Sequence, residues 1–190
     1  MQKKGFVALA AVATLGVALP AAAQSLNAAY VGASIGQSKF AADCTGVPNC
    51  DKTDTGFRIF GGYQFNQFIA AEVGYVDLGK LKLSGPGFDG KIESTAFDLS
   101  AVGTWHFTPE LAVLGRIGGY AADSKSSGTG IVNDSKSSTG LTFGLGGQYD
   151  FNKNLGARIE WQRFSSVKGP ANSGDGDIDY FNIAVLWRFQ

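Results

Sequence analysis

The sequence predicts an all-β protein: an eight-stranded antiparallel up-and-down transmembrane β-barrel, preceded by a cleaved signal peptide. Three observations lead there. Apolar and polar or small residues alternate with period two along eight separate segments. The apolar set is too bulky to fill the inside of an eight-stranded barrel. Short and long connections alternate along the chain, the arrangement of outer-membrane barrels.

The chain opens on the positive stretch Met1–Lys4, followed by an apolar run from Phe6 to Leu19, then Pro20 and Ala21-Ala22-Ala23. This is the three-part layout of an export signal. The A-x-A site places cleavage between Ala23 and Gln24, leaving residues 24–190 as one barrel domain. A transmembrane helix would need about 20 apolar residues, and this run is shorter. Transmembrane strands escape such a count because their two faces average out. A mean hydropathy of +0.01 fits that averaging.

Composition narrows the class. The 16 basic and 16 acidic residues balance, so no basic footprint for nucleic acid exists. Aromatics at 12% argue against a disordered chain. The 27 glycines and 5 prolines, with few helix-forming runs, favour strands and tight turns.

The segments follow in order. Val31, Ala33 and Ile35 alternate with Gly32, Ser34 and Gly36. Phe57, Ile59, Gly61, Tyr63 and Phe65 alternate with Arg58, Phe60, Gly62 and Gln64. Ile69, Ala71, Val73 and Tyr75 stand against Ala70, Glu72 and Gly74. Phe97, Leu99, Ala101 and Trp105 stand against Asp98, Ser100, Val102, Thr104 and His106. Leu111, Val113 and Ile117 alternate with Ala112, Leu114 and Arg116. Leu141, Phe143, Leu145 and Tyr149 alternate with Thr142, Gly144, Gly146 and Gln148. Leu155, Ala157, Ile159 and Trp161 oppose Gly156, Arg158, Glu160 and Gln162. The last run sets Phe181, Ile183, Val185, Trp187 and Phe189 against Asn182, Ala184, Leu186 and Arg188.

A soluble barrel alternates as well, so the second face decides the solvent. It carries Arg58, Glu72, Asp98, Arg116, Gln148, Arg158, Glu160 and Arg188 among glycines and serines. This small and charged set fits a narrow lumen. The aromatic and aliphatic set must then face outward, which only lipid accommodates. Charges in a narrow lumen require partners, so Arg58, Arg116, Arg158 and Arg188 are expected to pair with Glu72, Asp98 and Glu160. Gln148 and Ser34 are expected to satisfy spare donors. A lumen crossed by such pairs holds little continuous water, and no steady large conductance is expected.

The turns at 65–68, 107–110 and 151–154 are short. The connections at about 39–54, 80–92, 122–138 and 165–179 read as long polar loops at the opposite, extracellular end. Phe65, Phe68, Trp105, Phe107, Tyr149, Phe151, Trp187 and Phe189 lie near the short turns and predict a periplasmic aromatic girdle. In the first long loop, Cys44 and Cys50 are expected to form a disulfide after export. Structural zinc wants four ligands, and no His or further Cys lies near these two.

The stretch Tyr30-Val-Gly-Ala-Ser-Ile-Gly36 resembles the first strand of the outer membrane protein A transmembrane domain. Phe60-Gly-Gly-Tyr-Gln-Phe-Asn66, Ala71-Glu-Val-Gly-Tyr75 and Leu78-Gly79 resemble its second hairpin. Arg116-Ile-Gly-Gly119, Arg158-Ile-Glu-Trp161 and Trp187-Arg-Phe189 are similar to later strands. The resemblance implies an eight-stranded barrel with an interior ion-pair network including Glu72, Arg158 and Glu160. It also implies outer-membrane lipid and lipopolysaccharide as surroundings, and the barrel-assembly machinery as a partner through the C-terminal strand. Two departures from the pattern stand out. Ser34 and Gln148 stand where well-known members carry charges, and Gln190 follows the terminal aromatic.

His106 is the single histidine and falls beside the turn at Thr108-Pro109. No serine is placed next to it by spacing, so it reads as a rim residue rather than a catalytic one. Asp175-Gly-Asp-Ile-Asp179 lacks the pattern of a calcium loop and reads as a solvated loop. The sequence therefore predicts a non-enzymatic outer-membrane barrel without cofactor or metal, in a structural and surface-display role. An adhesin using its extracellular loops, a small gated pore and a lipid-modifying enzyme are the alternatives, in that order. No host or surface ligand is named by the residues.

Overall fold

The computed structural model describes residues 28–41, 49–85, 88–129, 134–168 and 175–189. The segment read as a signal peptide, its cleavage site and Cys44 with the Cys50 side chain lie outside the described residues. Nine strands are present among them: β1 (Ala28–Phe40), β2 (Asn49–Asp51), β3 (Thr53–Gln64), β4 (Ile69–Gly85), β5 (Phe88–His106), β6 (Leu111–Thr129), β7 (Asp134–Asp150), β8 (Leu155–Lys168) and β9 (Asp175–Phe189). Eight of them form one closed antiparallel ring. β1 pairs with β3 and β9, and β4 with β5, so no edge remains around the ring's waist. Around the waist, closure pairs the backbone groups of neighbouring strands internally, as hydrocarbon requires. β2 continues β3 upward across the single residue Lys52, whose carbonyl accepts from Phe40 N, and pairs with β4, Asp51 opposite Lys82.

The lipid belt is the alternating face read from the sequence. Ile35, Phe57, Ile59, Leu99, Ile117, Leu141, Leu145, Ile159 and Ile183 all point outward and are exposed. On β5 the belt runs from Phe97 to Phe107, and on β7 and its turn from Leu141 to Phe151. Spans of this length match the 9–11 residues a tilted strand needs to cross the hydrocarbon.

The strands do not stop where the belt stops, and here the structure corrects the sequence reading. The connections at 80–92, 122–138 and 165–179 are largely strand: β5 and β6 each run 19 residues. The acidic stretch at 175–179 is the start of β9 rather than a loop. The strand signal had faded because the outward face changes chemistry above the belt. Lys39, Lys80, Lys82, Lys91, Asp123 and Lys125 are exposed there.

The inside changes in the opposite sense. Above the belt the lumen holds Phe40, Val76, Leu78, Leu81, Tyr120, Phe164, Val167, Ile178 and Tyr180 in one buried apolar cluster. Within lipid the barrel is apolar outside and charged inside. Above lipid it is polar outside and apolar inside, as in a water-soluble barrel. The lumen is therefore not polar throughout, contrary to the sequence expectation. A second, smaller apolar cluster of Tyr30, Phe60, Ala70, Val102, Leu114, Ala184 and Leu186 lies in the periplasmic half. Two bulges sit at the change of polarity, at Asp77/Lys80 on β4 and Phe164/Val167 on β8. Each carries a left-handed residue, Gly79 (φ 77°) and Ser166 (φ 60°).

Candidate functional site

The candidate site is the lumen, where the buried charges gather. Between the two apolar clusters lies a layer of six charges from five strands: Arg58 (β3), Glu72 (β4), Asp98 (β5), Arg116 (β6), and Arg158 and Glu160 (β8). All six are buried, at 5% exposure or less. Three cations face three carboxylates, so the layer is neutral.

Glu72 is its centre. Arg158 Nη1 donates to Glu72 Oε1 at 2.6 Å, and Arg116 Nη2 to Oε2 at 2.6 Å. Tyr30 Oη donates to Oε1 at 2.7 Å, and Arg58 Nη1 lies 3.6 Å from Oε2. In the ring order β4 and β8 stand four places apart, diametrically opposite. The Glu72–Arg158 pair therefore spans the whole lumen. Arg116 also forks onto Glu160, through Nε and Nη2. Arg58 forks onto Asp98 at 3.1 and 3.0 Å, and Ser100 donates to the same carboxylate at 3.1 Å. Such bidentate pairs fix geometry as well as charge.

Gly74 explains how Arg58 lies flat against the wall. A Cβ at that position would come within 2.5–2.7 Å of the Arg58 guanidinium. A side chain there would occupy the space the cation needs.

Arg158 and Glu160, two apart on one strand, approach each other only to 3.9 Å. Each finds its close partner on another strand. Gln148 accepts from Arg158 Nη2 at 3.0 Å, and its own amide lies 3.2 Å from both Asp150 oxygens. Ser34 departs from expectation. It faces Arg58 in the register, but its Oγ lies 3.3 Å from Tyr180 Oη, which donates to the Gly56 carbonyl.

Arg188 stands outside the six-charge layer. It is at the periplasmic rim, where Nη2 meets Asp150 Oδ1 at 2.7 Å. His106 Nε2 faces the same carboxylate at 3.7 Å. These side chains line a periplasmic vestibule of about 610 Å³, shared with Gln64, Glu110 and Asn152. The void next inward, bounded by Tyr30, Gln148 and Arg158, is about 10 Å³. That is room for about one water.

Two participants escaped the sequence reading, Tyr30 and Asp150. Both share the inward parity of the even-numbered network members on their strands, Ser34 and Gln148. Parity carried past the ends of the obvious runs would have placed them. The apolar fill above the belt was missed for the same reason. Among the described residues no group of His, Cys, Asp and Glu is arranged to hold a metal ion.

Residues 24–190 match the OmpA-like transmembrane domain family. The chain is 31% identical over 192 residues to outer membrane protein A of Shigella flexneri, covering 96% of this chain and 53% of that protein. It is 32% identical to outer membrane protein A of Yersinia pseudotuberculosis, covering 98% of this chain and 56% of that one. The chain thus spans about half the length of the curated relatives it matches. Among solved structures it is similar to Ail, the attachment invasion locus protein of Yersinia pestis. The TM-score is 0.59 at 18% identity, over 86% of this chain and 99% of that one. Neisserial surface protein A gives 0.59 at 19% identity, over 85% and 97%. The N-terminal β-barrel domain of Pseudomonas aeruginosa OprF gives 0.58 at 14%, over 87% and 100%. At these identities the three structures establish a shared fold.

Proposed function

The chain belongs to the OmpA-like transmembrane domain family, and from that premise we propose that it acts as a closed, rigid outer-membrane anchor displaying its extracellular end, and not as an open pore. It resides in the bacterial outer membrane, among lipid and lipopolysaccharide, with the structural and surface role of that family. The observation that carries the finer reading is the doubly blocked lumen. A charge layer crosses it through Glu72 and Arg158, and an apolar cluster around Phe164 and Tyr180 fills it on the extracellular side. Ion passage would require separating buried pairs and then wetting an apolar plug.

The family and fold are those of non-enzymatic outer-membrane barrels, and absence of catalysis by this chain is part of the proposal. His106 supports it: its close charged neighbours are Asp150 and, through it, Arg188, an ion-paired arrangement. Assembly is proposed to proceed through the barrel-assembly machinery, engaging β9 and its terminal Trp187 and Phe189.

The experiment is a deletion strain complemented with a chain carrying an epitope tag between residues 44 and 48. Antibody should label the tag on intact cells, and complementation should restore resistance to detergents and bile salts excluded by a sound outer membrane. Labelling only after permeabilisation, or unchanged detergent resistance in the deletion strain, would overturn the reading.

A further inference from the structure

The outer wall of the barrel carries a groove of about 580 Å³ on the lipid-facing side of β4 to β8. Its course follows the ladder. Ile69 pairs with Gly103, Gly103 with Gly115, Gly115 with Leu145 and Leu145 with Trp161, and all five line the groove. The two glycines make the floor. Ile117 and Phe143, paired with each other one step nearer the extracellular end, rise beside it as a wall. The row climbs as it crosses the strands, as the stagger of a closed barrel requires. Ile69 is the first residue of β4, beside the periplasmic turn, whereas Trp161 is the seventh of β8. At the lower end Trp105, two residues from Gly103 on the same face, packs on Phe68 at 5.9 Å between ring centroids. At the upper end Phe143 and Trp161 meet edge to face at 5.9 Å. There the Trp161 indole N–H donates to Asp179 Oδ1 at 3.1 Å, and the Arg163 guanidinium lies 5.4 Å from the indole centroid. These charges mark the edge of the hydrocarbon, so this end opens at the extracellular headgroups.

The barrel's own packing does not require the two floor glycines. On the lumen face a Cβ at Gly118 would run into the Leu99 carbonyl and Ser100. At Gly103 and Gly115 a Cβ would meet nothing nearer than 4.0 and 3.8 Å. Both point outward among belt positions such as Leu99, Ile117 and Leu145, which carry large apolar side chains. An apolar trough within hydrocarbon stays dry. Nor does a hydrophobic gain draw a partner into it, because lipid tails are as apolar as leucine. Shape is what remains: many weak dispersion contacts, made on several sides at once, over small residues that allow close approach.

We propose that this groove is a binding site for one acyl chain of an extracellular-leaflet lipid, which enters at Phe143 and Trp161 and lies over Gly115 and Gly103 toward Ile69. The lining lies within the lipid belt, so hydrocarbon is what it meets. The width suits a single chain. Ile69 and Leu145 stand three strand spacings apart, about 14 Å between backbones, and their side chains take up much of that span. The polar boundary at Asp179 and Arg163 lies at the upper end, where a headgroup sits, and Trp105 stands across the lower one. A chain held in this way is ordered along the row and exchanges more slowly than the lipid around the rest of the barrel. The proposal rests on residence in the outer membrane and not on the closed lumen.

The test uses the full mature chain folded in phosphatidylcholine nanodiscs. The probe is phosphatidylcholine carrying one diazirine, either near the carbonyl or near the methyl end of an acyl chain, and the photoadducts are mapped by mass spectrometry. Adducts should be enriched on the groove walls over Ile35 and Ile183, which face lipid on the opposite side of the barrel. The carbonyl-proximal label should mark Phe143 and Trp161, and the methyl-end label Ile69. Gly103→Leu and Gly115→Leu fill the floor and should abolish the enrichment, while labelling of Ile35 and Ile183 persists. Both variants should keep the heat-dependent gel shift, since the added Cβ meets no close neighbour. Uniform labelling around the barrel, the reverse order of the two labels, or cross-links from the groove to a second barrel overturns the proposal. Should a leucine variant fail to fold, the position-dependent labelling of the wild type decides alone. Failure here with intact surface labelling leaves the anchor reading standing, so the two are separable.

Discussion

Three donors and the nearby Arg58 cation converge on the Glu72 carboxylate, so its removal leaves three buried guanidinium groups facing two carboxylates. Breaking one side of a buried charge network typically costs about 3–5 kcal/mol. Glu72→Ala should lower the urea midpoint of unfolding in vesicles accordingly. Glu72→Gln, which keeps an acceptor for Tyr30, should lose less. A midpoint unmoved by either change would mean that the cations are held elsewhere. A second residue-scale effect lies above the membrane. Arg163 Nε donates to Asp179 Oδ1 at 2.7 Å and Trp161 Nε1 to the same oxygen at 3.1 Å. These bonds, Arg163 first, hold the Asp179 carboxyl below its ordinary value. A carboxylate with a depressed folded pKa stabilises the fold above its unfolded pKa, about 3.9. That contribution disappears as pH falls through the lower folded value. Trp161 fluorescence should therefore stay constant down to about pH 4 and change below it. In Asp179→Asn that acid transition should vanish.

At the scale of elements, each strand carries two instructions, one for the lipid face and one for the lumen. Ile159 on β8 points into lipid between the inward Arg158 and Glu160. Ile159→Arg should cost about 2–4 kcal/mol near the midplane and block insertion, read as loss of the heat-dependent gel shift. Ser34 on β1 points inward, directly opposite Arg58. Ser34→Asp should therefore fold, whereas Ser34→Arg sets like charges face to face in a dry lumen and should not. Equal tolerance of Ile159→Arg and Ser34→Asp would contradict the assigned faces. These faces were legible in the sequence because Phe57, Ile59 and Tyr63 recur at every second residue beside Arg58 and Phe60. The upper halves of the strands were not legible. Over 122–128 and 134–138 the outward face is serine, lysine and aspartate, which looks like loop by composition. The apolar alternation had moved to the other face, to Val76 and Leu78 on β4 and to Ile178 and Tyr180 on β9. A reading that follows only one face loses the strand where the solvent changes.

For the whole molecule, the change from inside-out to inside-in packing is what supports the proposal of a barrel held at a fixed height in the membrane and closed at two levels. The partner choices within the charge layer could not be read from a linear sequence. Glu72 meets Arg158 only because the ring places β4 opposite β8, and Arg58 chooses Asp98 over Glu72 because two strand spacings suit a fork. The closed lumen is the claim on which the anchor role depends, and single-channel recording of the mature chain in planar bilayers tests it most directly. The wild type should show no steady large openings, and Glu72→Ala should give at most brief, rare ones, because the apolar cluster around Phe164 and Tyr180 still blocks the path. Stable, large openings from the wild-type chain would contradict the account.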